Sequence, residues 1–320
     1  MFLLIMNVLN LYTRVYNLLH NYSCVPYWVL SPLRKLVRYG ANKSLPKYLA
    51  KMHDSRGKKV NGVILSLTSF PARINSIWQV VKSLKNQSVL PEKIILWLSK
   101  EQFPRKETIP ESLWKEVDSL FEICMVEDDI RSHKKFYYVM QKYPDKAFVT
   151  CDDDIYYHPD TIKYLVEASK LHPGCIIANI SRKMAWNNHG ILLPYKQWES
   201  VVNDNCSKNI IQIGVGGVLY PPNSLHELTL RKDLFLTLTP MADDIWLNCM
   251  ARLQGTRVVQ SAMHMMPLPI KNDSPSLKTT NRGENGNDRQ IAKLREYLRL
   301  HSLIDVYSKT ENYNESLPIS

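Results

Sequence analysis

Three consecutive carboxylates are the strongest chemical signal in this sequence. Asp152, Asp153 and Asp154 directly follow the apolar run 147–150, whose β-branched and aromatic residues predict a buried strand. Open α/β sheets bind ligands outside the carboxyl ends of their strands. Because like charges this close repel one another, the triplet favours a divalent cation, and its oxygen donors select Mg²⁺ or Mn²⁺, which would bridge to phosphate oxygens. The alternative interpretation is a solvated acidic turn between a strand and a helix.

A second acidic feature, the pair Asp243-Asp244, opens a predicted helix that ends at Gly255. Carboxylates at a helix start cap its free N–H groups and interact with its dipole, which stabilises a helix by about 1 kcal/mol. A capping role for one acid leaves the other free to face a cleft, where a carboxylate can act as a general base. The sequence leaves open which of the two does so.

Glycine and arginine residues form two further candidate features. Gly214, Gly216 and Gly217 lie in a strand edge near residues 213–220, where they would let a ligand approach the backbone closely or, equally, allow tight sheet packing. Arg73, in the turn after the first strand, has the planar guanidinium that suits bidentate recognition of phosphate.

The chain from about residue 60 alternates predicted strands and helices. Strand 60–69, a helix with one apolar face and strand 94–98 form a βαβ unit, which implies parallel pairing and an α/β domain. Further strands are predicted at 120–126, 147–150, 175–180 and 213–220, further helices at 134–143, after Pro159, at 243–254 and at 290–300, and a loop at 184–210. We expect three segments: 1–59, an amphipathic and polybasic N-terminal segment; 60–270, the α/β domain; and 271–320, a C-terminal loop with a short helix.

The N-terminal segment concentrates the positive charge of the chain. Ten of the 41 Lys and Arg residues but only one of the 30 acids (Asp54) fall in residues 1–59, and the nearly balanced remainder argues against a nucleic-acid partner. The apolar residues of 2–19 are interrupted by polar ones at helical spacing, without the uninterrupted run of a spanning helix or the features of a signal peptide. An amphipathic helix followed by basic residues predicts peripheral attachment to an anionic membrane surface from the cytoplasm, at the inner face of the cell membrane. The alternative is a helix packed on the domain or on a partner.

The six scattered cysteines favour reduced thiols in a cytosolic protein.

In their order along the chain, these features resemble the GT-A nucleotide-sugar-dependent glycosyltransferases, especially bacterial enzymes of surface-polysaccharide assembly. The resemblance covers roughly residues 60–270, and segments 131–138 and 216–222 are similar to parts of that bacterial group. It implies a GT-A-like (Rossmann-like) fold with a mixed, mainly parallel sheet flanked by helices. It also implies a nucleotide-sugar donor, with a UDP-sugar favoured, a glycan or lipid-linked acceptor, and Mn²⁺ or Mg²⁺ as cofactor.

The resemblance also implies roles for individual residues. Asp152 and Asp154 would be the outer acids of the Asp-x-Asp motif, with Asp152 on the donor and both at the metal, although the triplet also allows Asp153 and Asp154 to be the working pair. Asp244 would be the general base of an inverting reaction, with Asp243 beside it. Residues implied at the donor or the metal are Ser69, Arg73, Arg131, Lys134, Gly216, Gly217 and His264.

Two other functions compete with this interpretation. A phosphotransferase of the haloacid-dehalogenase type also places Asp-x-Asp after a strand, but normally after the first core strand and with Thr or Val where this chain has Tyr156. A non-catalytic membrane-bound scaffold would leave the clustered acids and glycines unexplained.

Overall fold

The computed structural model describes residues 2–21, 24–53, 57–201, 206–263, 265–271 and 286–309. The α-helices in these ranges are α1 (Phe2–Asn21), α2 (Tyr27–Ala50), α3 (Ile77–Lys85), α4 (Glu111–Trp114), α5 (Lys134–Lys142), α6 (Thr161–Leu171), α7 (Lys232–Leu238), α8 (Asp243–Gln254) and α9 (Gly286–Leu300). Short 3₁₀ helices occur at Lys106–Thr108, Arg131–His133, Tyr195–Gln197, Gly214–Gly216 and Glu227–Leu230.

The strands are short, and most of them join one central sheet. They are β1 (Lys58–Lys59), β2 (Val63–Thr68), β3 (Val89–Leu90), β4 (Lys93–Ser99), β5 (Phe121–Val126), β6 (Ala147–Thr150), β7 (Ile155–Tyr156), β8 (Ile176–Ala178), β9 (Ser181–Lys183), β10 (Glu199–Ser200), β11 (Ile210–Gln212), β12 (Val218–Tyr220), β13 (Val258–Gln260) and β14 (Leu268–Pro269). The central sheet has the order β13-β8-β12-β6-β2-β4-β5. Strand β12 runs antiparallel to both its neighbours, and the other pairings are parallel. The expected mixed, mainly parallel sheet flanked by helices is confirmed.

The strand order creates a site at one edge of the sheet. From β2 the chain adds β4 and β5 on one side and then returns to place β6 on the other side of β2. Such a reversal is the topological switch point at which doubly wound sheets bind ligands, outside the carboxyl ends of the two diverging strands. Here those ends are the ends of β2 and β6, which pair from Val63↔Ala147 to Ser66↔Thr150.

Both faces of the sheet are covered, which explains its nearly continuous apolar strands. Successive residues of β2 point to opposite faces: Ile64 packs in a cluster with α5, α8 and α9, and Leu65 packs in one with α1, α2, α3 and α6. Helices from the segments before residue 60 and after residue 270 thus contribute to the two hydrophobic cores.

The N-terminal helices form an antiparallel hairpin against the domain. Leu9 of α1 and Leu45 and Leu49 of α2 are completely buried in the same cluster as strand residues of the central sheet. The helix expected from the amphipathic pattern is therefore present, and its inner face packs on the domain. No helix within the described ranges is both long and apolar enough to cross a membrane.

Two expectations from the sequence were wrong in detail. The region 184–210, expected to be a loop, contains β10 and the first residue of β11, which both pair with β9 in a small antiparallel sheet; strands of two or three residues leave no periodic signal. Cys175 and Cys206, expected as thiols, are paired as a disulfide. Ser207 bridges to Val258 of β13, and β13 pairs with β8, so the sheet brings together cysteines that are 31 residues apart.

Candidate active site

The acidic triplet and the turn after β2 meet at the switch point of the sheet. Asp153 is buried there, where it accepts a hydrogen bond of 2.6 Å from Ser69 Oγ and pairs at 2.6 Å with Arg73 Nη1. The same guanidinium nitrogen lies 3.1 Å from Asp154 Oδ2. Burial alone would lower the pKa of Arg73, but the charges of Asp153 and Asp154 outweigh it and raise this pKa. Ser69 and Arg73 were expected to face the nucleotide. In the structure the Ser69 hydroxyl and the Arg73 guanidinium contact the carboxylate of Asp153.

The outer carboxylates of the triplet are the accessible ones. The side chains of Asp152 and Asp154 are 29% and 30% exposed, against 8% for Asp153. The sequence allowed either Asp152 or Asp153 to work with Asp154. With Asp153 committed to Ser69 and Arg73, Asp152 and Asp154 are the pair that a ligand in the cleft can reach.

Lys135 joins the triplet to the second acidic pair. Its ammonium nitrogen lies 2.8 Å from Asp152 Oδ1 and 3.0 Å from Asp243 Oδ2, and its side chain is almost completely buried. Burial would lower the pKa of Lys135, but the charges of Asp152, Asp243 and Asp244 raise it well above its ordinary value. A permanent cation thus holds the end of β6 and the start of α8 together.

The two acids at the start of α8 have different environments. Burial tends to raise the pKa of Asp243, but the charges of Lys135 and His133, together with hydrogen bonds from Lys135 and Ser132, outweigh it and lower this pKa. Asp244 accepts two hydrogen bonds of 3.1 Å from the backbone N–H of Gly214, and part of its surface stays open to solvent. Desolvation and then the charge of Asp243 raise the pKa of Asp244 to about 8. Neighbouring acids whose pKa values are pushed apart can divide the roles of fixed charge and proton carrier.

The three glycines have different roles: Gly214 contacts Asp244, whereas Gly216 and Gly217 serve packing and backbone conformation. A Cβ on Gly214 would lie 2.9 Å from Asp244 Oδ1, so the absence of a side chain lets the carboxylate reach the backbone. A Cβ on Gly216 would lie 2.8 Å from Ile180 Cγ1, and Gly217 has a φ of +88°. Gly216 and Gly217, implied by the resemblance to bind the donor, are in this structure required by close packing and by a left-handed backbone.

The basic residues before α5 also differ in their contacts. Lys134 is buried and pairs with Asp129, and its contact with a diphosphate stays a prediction. Arg131 is exposed, and its guanidinium reaches Met241, two residues before Asp243, with an Nη1–Sδ distance of 2.7 Å. Arg131 therefore lies beside the start of α8. His264 lies outside the described residues, and its metal role stays a prediction.

Two contributors escaped the sequence interpretation. No motif separates Lys135 from its neighbour Lys134, although five clustered carboxylates require internal counter-charge, and that requirement was the available signal. The hydroxyl of Tyr157 accepts a hydrogen bond of 2.7 Å from the backbone N–H of Asp152, which fixes the chain where the triplet begins. Nothing in the sequence distinguishes Tyr157 from the other tyrosines of the core.

The donor set at the triplet fits a metal shared with a ligand. Within the described ranges, no group of three or more His, Cys, Asp or Glu side chains is placed to hold a metal alone. Mg²⁺ commonly binds through one or two carboxylates together with substrate phosphates and water. Asp152 and Asp154 offer two carboxylates at an accessible edge, a donor set that suits a cation arriving with a diphosphate.

No protein-family model matches the chain, and no curated protein is significantly similar to it. Among solved structures, the chain is similar to HddC from Yersinia pseudotuberculosis, with 15% identity and a TM-score of 0.32 over 51% of this chain and 76% of that one. It is also similar to UDP-glucose pyrophosphorylase, both in the apo form (10% identity, TM-score 0.39, 76% of this chain and 100% of that one) and complexed with UDP-glucose (10%, 0.36, 75% and 99%). Similarities of this size identify neither a family nor an activity for this chain, so both have to come from its own residues.

Proposed function

We propose that this protein is a metal-dependent, inverting glycosyltransferase. It moves a sugar from a nucleotide-sugar donor, with a UDP-sugar favoured, to a glycan or lipid-linked acceptor in cell-surface polysaccharide biosynthesis. One observation carries the proposal: Lys135 contacts both Asp152 and Asp243, so the acidic triplet and the acidic pair belong to one cleft at the switch point. A transferase of this kind needs both a place for a diphosphate and a base for an acceptor hydroxyl.

At the donor end of the cleft, Asp152 and Asp154 would hold Mn²⁺ or Mg²⁺ and, through it, the diphosphate. A bound cation of this kind neutralises the charge that develops on the leaving nucleoside diphosphate. Arg73 remains beneath the triplet and limits the repulsion among its three carboxylates. Arg131, which is exposed, would contact the phosphates of the donor.

At the acceptor end, Asp244 would take the proton of the attacking hydroxyl. The acceptor oxygen forms a bond to the anomeric carbon of the sugar as the bond to the diphosphate breaks, which inverts that carbon. A base works best when its pKa lies near the working pH, and the pKa of Asp244 is raised to about 8. Asp243, ionised beside Lys135, supplies fixed charge and would keep that ammonium in place.

The phosphotransferase alternative is less well supported by the topology. In the haloacid-dehalogenase type, the nucleophilic aspartate normally ends the first core strand. The triplet of this chain follows β6, after β2, β4 and β5 have already entered the central sheet. We retain that alternative as an outcome of the experiment below.

A donor screen tests the proposed function. The purified chain is incubated with individual nucleotide sugars and Mn²⁺, and the release of nucleoside diphosphate is measured with Asp244→Asn as the matched control. We expect release from one class of donor, dependent on the metal and reduced in the variant, and an inverted anomeric configuration in the product. A covalent aspartyl phosphate, or formation of pyrophosphate from a sugar phosphate and a nucleoside triphosphate, would instead show a different reaction.

The place of the reaction is also part of the proposal. Attachment to the cytoplasmic face of the cell membrane would bring the cleft to acceptors that are assembled there. The N-terminal hairpin is the element that could provide this attachment.

A further inference from the structure

We infer that the outward face of the α1–α2 hairpin docks on an anionic bilayer and holds the catalytic cleft beside it. We call this surface the hairpin face and define it by Leu11, Leu18, Trp28, Leu36 and Tyr39. The docking stands on the contacts described next. Its consequence for the acceptor, which would be borne by the membrane, rests on the proposed function.

The hairpin face is unusually apolar for exposed surface. Its five side chains are 60% (Leu11), 60% (Leu18), 76% (Trp28), 66% (Leu36) and 66% (Tyr39) exposed. Of the thirteen large apolar side chains exposed within the described ranges, seven belong to this hairpin, and the other six are scattered over the rest of the chain. A concentrated apolar patch of this kind marks an interaction site, whereas scattered residues need no explanation.

Helical geometry directs these side chains away from the domain. Among the described side chains of α1, the buried apolar ones are Leu9 and Tyr16, and the exposed Leu11 and Leu18 each follow one of them by two residues, about 200° around the helix. In α2 the buried apolar residues lie on one side of the helix: Leu30, Ala41, Leu45 and Leu49. The exposed Trp28, Leu36 and Tyr39 lie about 100° or more around the helix from the middle of that side. Both helices thus bury one side on the domain and present the opposite side to solvent.

The positive charge of the hairpin indicates which partner binds the hairpin face. Residues 1–53 contain seven Lys and Arg residues and no Asp or Glu. Lys35, Arg38, Lys43 and Lys47 are exposed along α2, and none of them has an acidic partner among the described residues. Two copies of such a surface would repel each other, which argues against a dimer through this face. A surface that is both apolar and basic matches the interface of a bilayer that carries anionic lipids.

A shallow pocket beside Leu18 has the same mixed chemistry. It has a volume of about 340 Å³ and is lined by Arg14, Asn17, Leu18, Asn21 and Met265. A guanidinium and side-chain amides suit the phosphate and glycerol oxygens of a lipid headgroup, while Leu18 and Met265 suit its apolar part. The pocket therefore extends the hairpin face toward the segment that follows β13.

The hairpin is attached directly to the strand that supports the triplet. Asn42 of α2 donates from Nδ2 to the carbonyl of Pro269 at 3.0 Å and accepts at Oδ1 from the N–H of Lys271 at 2.6 Å. Between them, the N–H of Ile270 donates to the carbonyl of Asp154 at 2.8 Å. One short strand thus lies between the hairpin and the proposed donor site, so a docked hairpin would hold the cleft close to the bilayer.

Vesicle sedimentation of the full-length chain tests the inference without donor, acceptor or turnover. We expect binding to vesicles of phosphatidylcholine mixed with phosphatidylglycerol, weakened by high salt, and little binding to phosphatidylcholine alone. Each basic residue near an anionic surface contributes about a fivefold change in binding, so Lys35→Glu with Arg38→Glu should weaken it by more than tenfold. Trp28→Ser with Leu36→Ser should also release the protein.

The control is Leu171→Ser with Leu300→Ser, which removes two equally exposed leucines elsewhere on the surface. All these residues are exposed, so an unchanged thermal midpoint should show that each variant folds. Equal binding to neutral and anionic vesicles, no binding to either, or loss of binding in the control would overturn the inference. So would self-association of the chain that is abolished by Leu36→Ser. A loss of transfer with normal vesicle binding would contradict only the proposed reaction.

Discussion

Lys135 and Asp243 form a buried ion pair, 3.0 Å between Nζ and Oδ2, at the centre of the proposed active site. Because the same ammonium also contacts Asp152, the pair links residues that lie 91 positions apart in the sequence (152 and 243). A buried cation among carboxylates sets both the shape of the cleft and the charge of its acids. The first prediction follows from this dual role.

Replacing Lys135 with methionine should destabilise the protein strongly. The substitution keeps the apolar volume but leaves Asp152 and Asp243 without their shared cation, and breaking a buried pair in this way costs about 3–5 kcal/mol. Urea denaturation measures the loss in the free energy of unfolding. Lys100→Met is the matched control: its ion pair with Glu127 is exposed, and its loss should cost less than about 1 kcal/mol. Equal costs for the two variants would show that Lys135 is not a structural counter-ion.

Replacing Asp244 with asparagine should lower turnover by about 10²–10⁴-fold while donor affinity stays near normal, because the base acts on the acceptor in the transition state. For the wild-type chain, turnover should rise as the pH increases through about 8, since only the ionised carboxylate can accept a proton. Stability should follow the opposite course. The stabilisation contributed by the protonated carboxyl of Asp244 is complete below about pH 4, where this carboxyl titrates in the unfolded chain. It is lost as the pH rises through about 8, where the carboxyl titrates in the folded chain.

Asp244→Asn should therefore flatten the dependence of the unfolding midpoint on pH in that window. Asp243→Asn is the companion variant: its main effect should be on stability, through Lys135. If Asp243→Asn lowers turnover more than Asp244→Asn does, the two roles are exchanged.

Replacing Asp154 with asparagine should abolish the metal-dependent binding of a nucleoside diphosphate but leave the fold intact, because this carboxylate is partly exposed. Calorimetric titration with Mn²⁺ present measures the binding. Chelation of the metal should stop transfer in the wild-type chain, and Mn²⁺ or Mg²⁺ should restore it. Asp153→Asn should behave differently and cost about 3 kcal/mol or more of stability, since its carboxylate is buried against Arg73. Full activity in the presence of a chelator would contradict the metal assignment.

Replacing Leu45 with alanine should cost about 2–5 kcal/mol of stability, because this side chain of α2 is completely buried in the core shared with the sheet. Leu36→Ala, in the same helix but 66% exposed, should change the free energy of unfolding by less than about 0.5 kcal/mol. Thermal unfolding of the two variants makes the comparison. The same packing means that removal of the hairpin would uncover part of the core, so point substitutions are the sounder test of membrane docking.

The sequence predicted the parts of the site that have a strong local pattern. An apolar strand followed by three acids, and an acidic pair before a helix, place Asp152 and Asp244 at the ends of their elements, and the structure agrees on those positions. The sequence could not show which of Lys134 and Lys135 lies at the site. Adjacent residues on a helix point about 100° apart, and only tertiary packing determines that one contacts Asp129 and the other the cleft.

Tertiary packing also decided two outcomes that the sequence could not, one in the N-terminal segment and one at Arg73 in the turn after β2. The amphipathic pattern predicted α1, but α1 has more apolar residues than the domain covers, so the pattern alone could not choose between burial and exposure. Arg73 was expected to face a ligand because its residue type suits phosphate. In the structure its guanidinium lies beneath the triplet, since Asp153, buried between strand ends, needs a counter-charge.

The hydrogen bonds that orient Asp244 come from the main chain of Gly214, and this has a genetic consequence. Only a substitution by proline removes a backbone N–H. Every other substitution at Gly214 therefore keeps the hydrogen-bond donor to Asp244. What mutation can do at position 214 is add bulk, and even a methyl group would meet the carboxylate at 2.9 Å. Related chains that keep this chemistry should therefore tolerate almost no variation at Gly214.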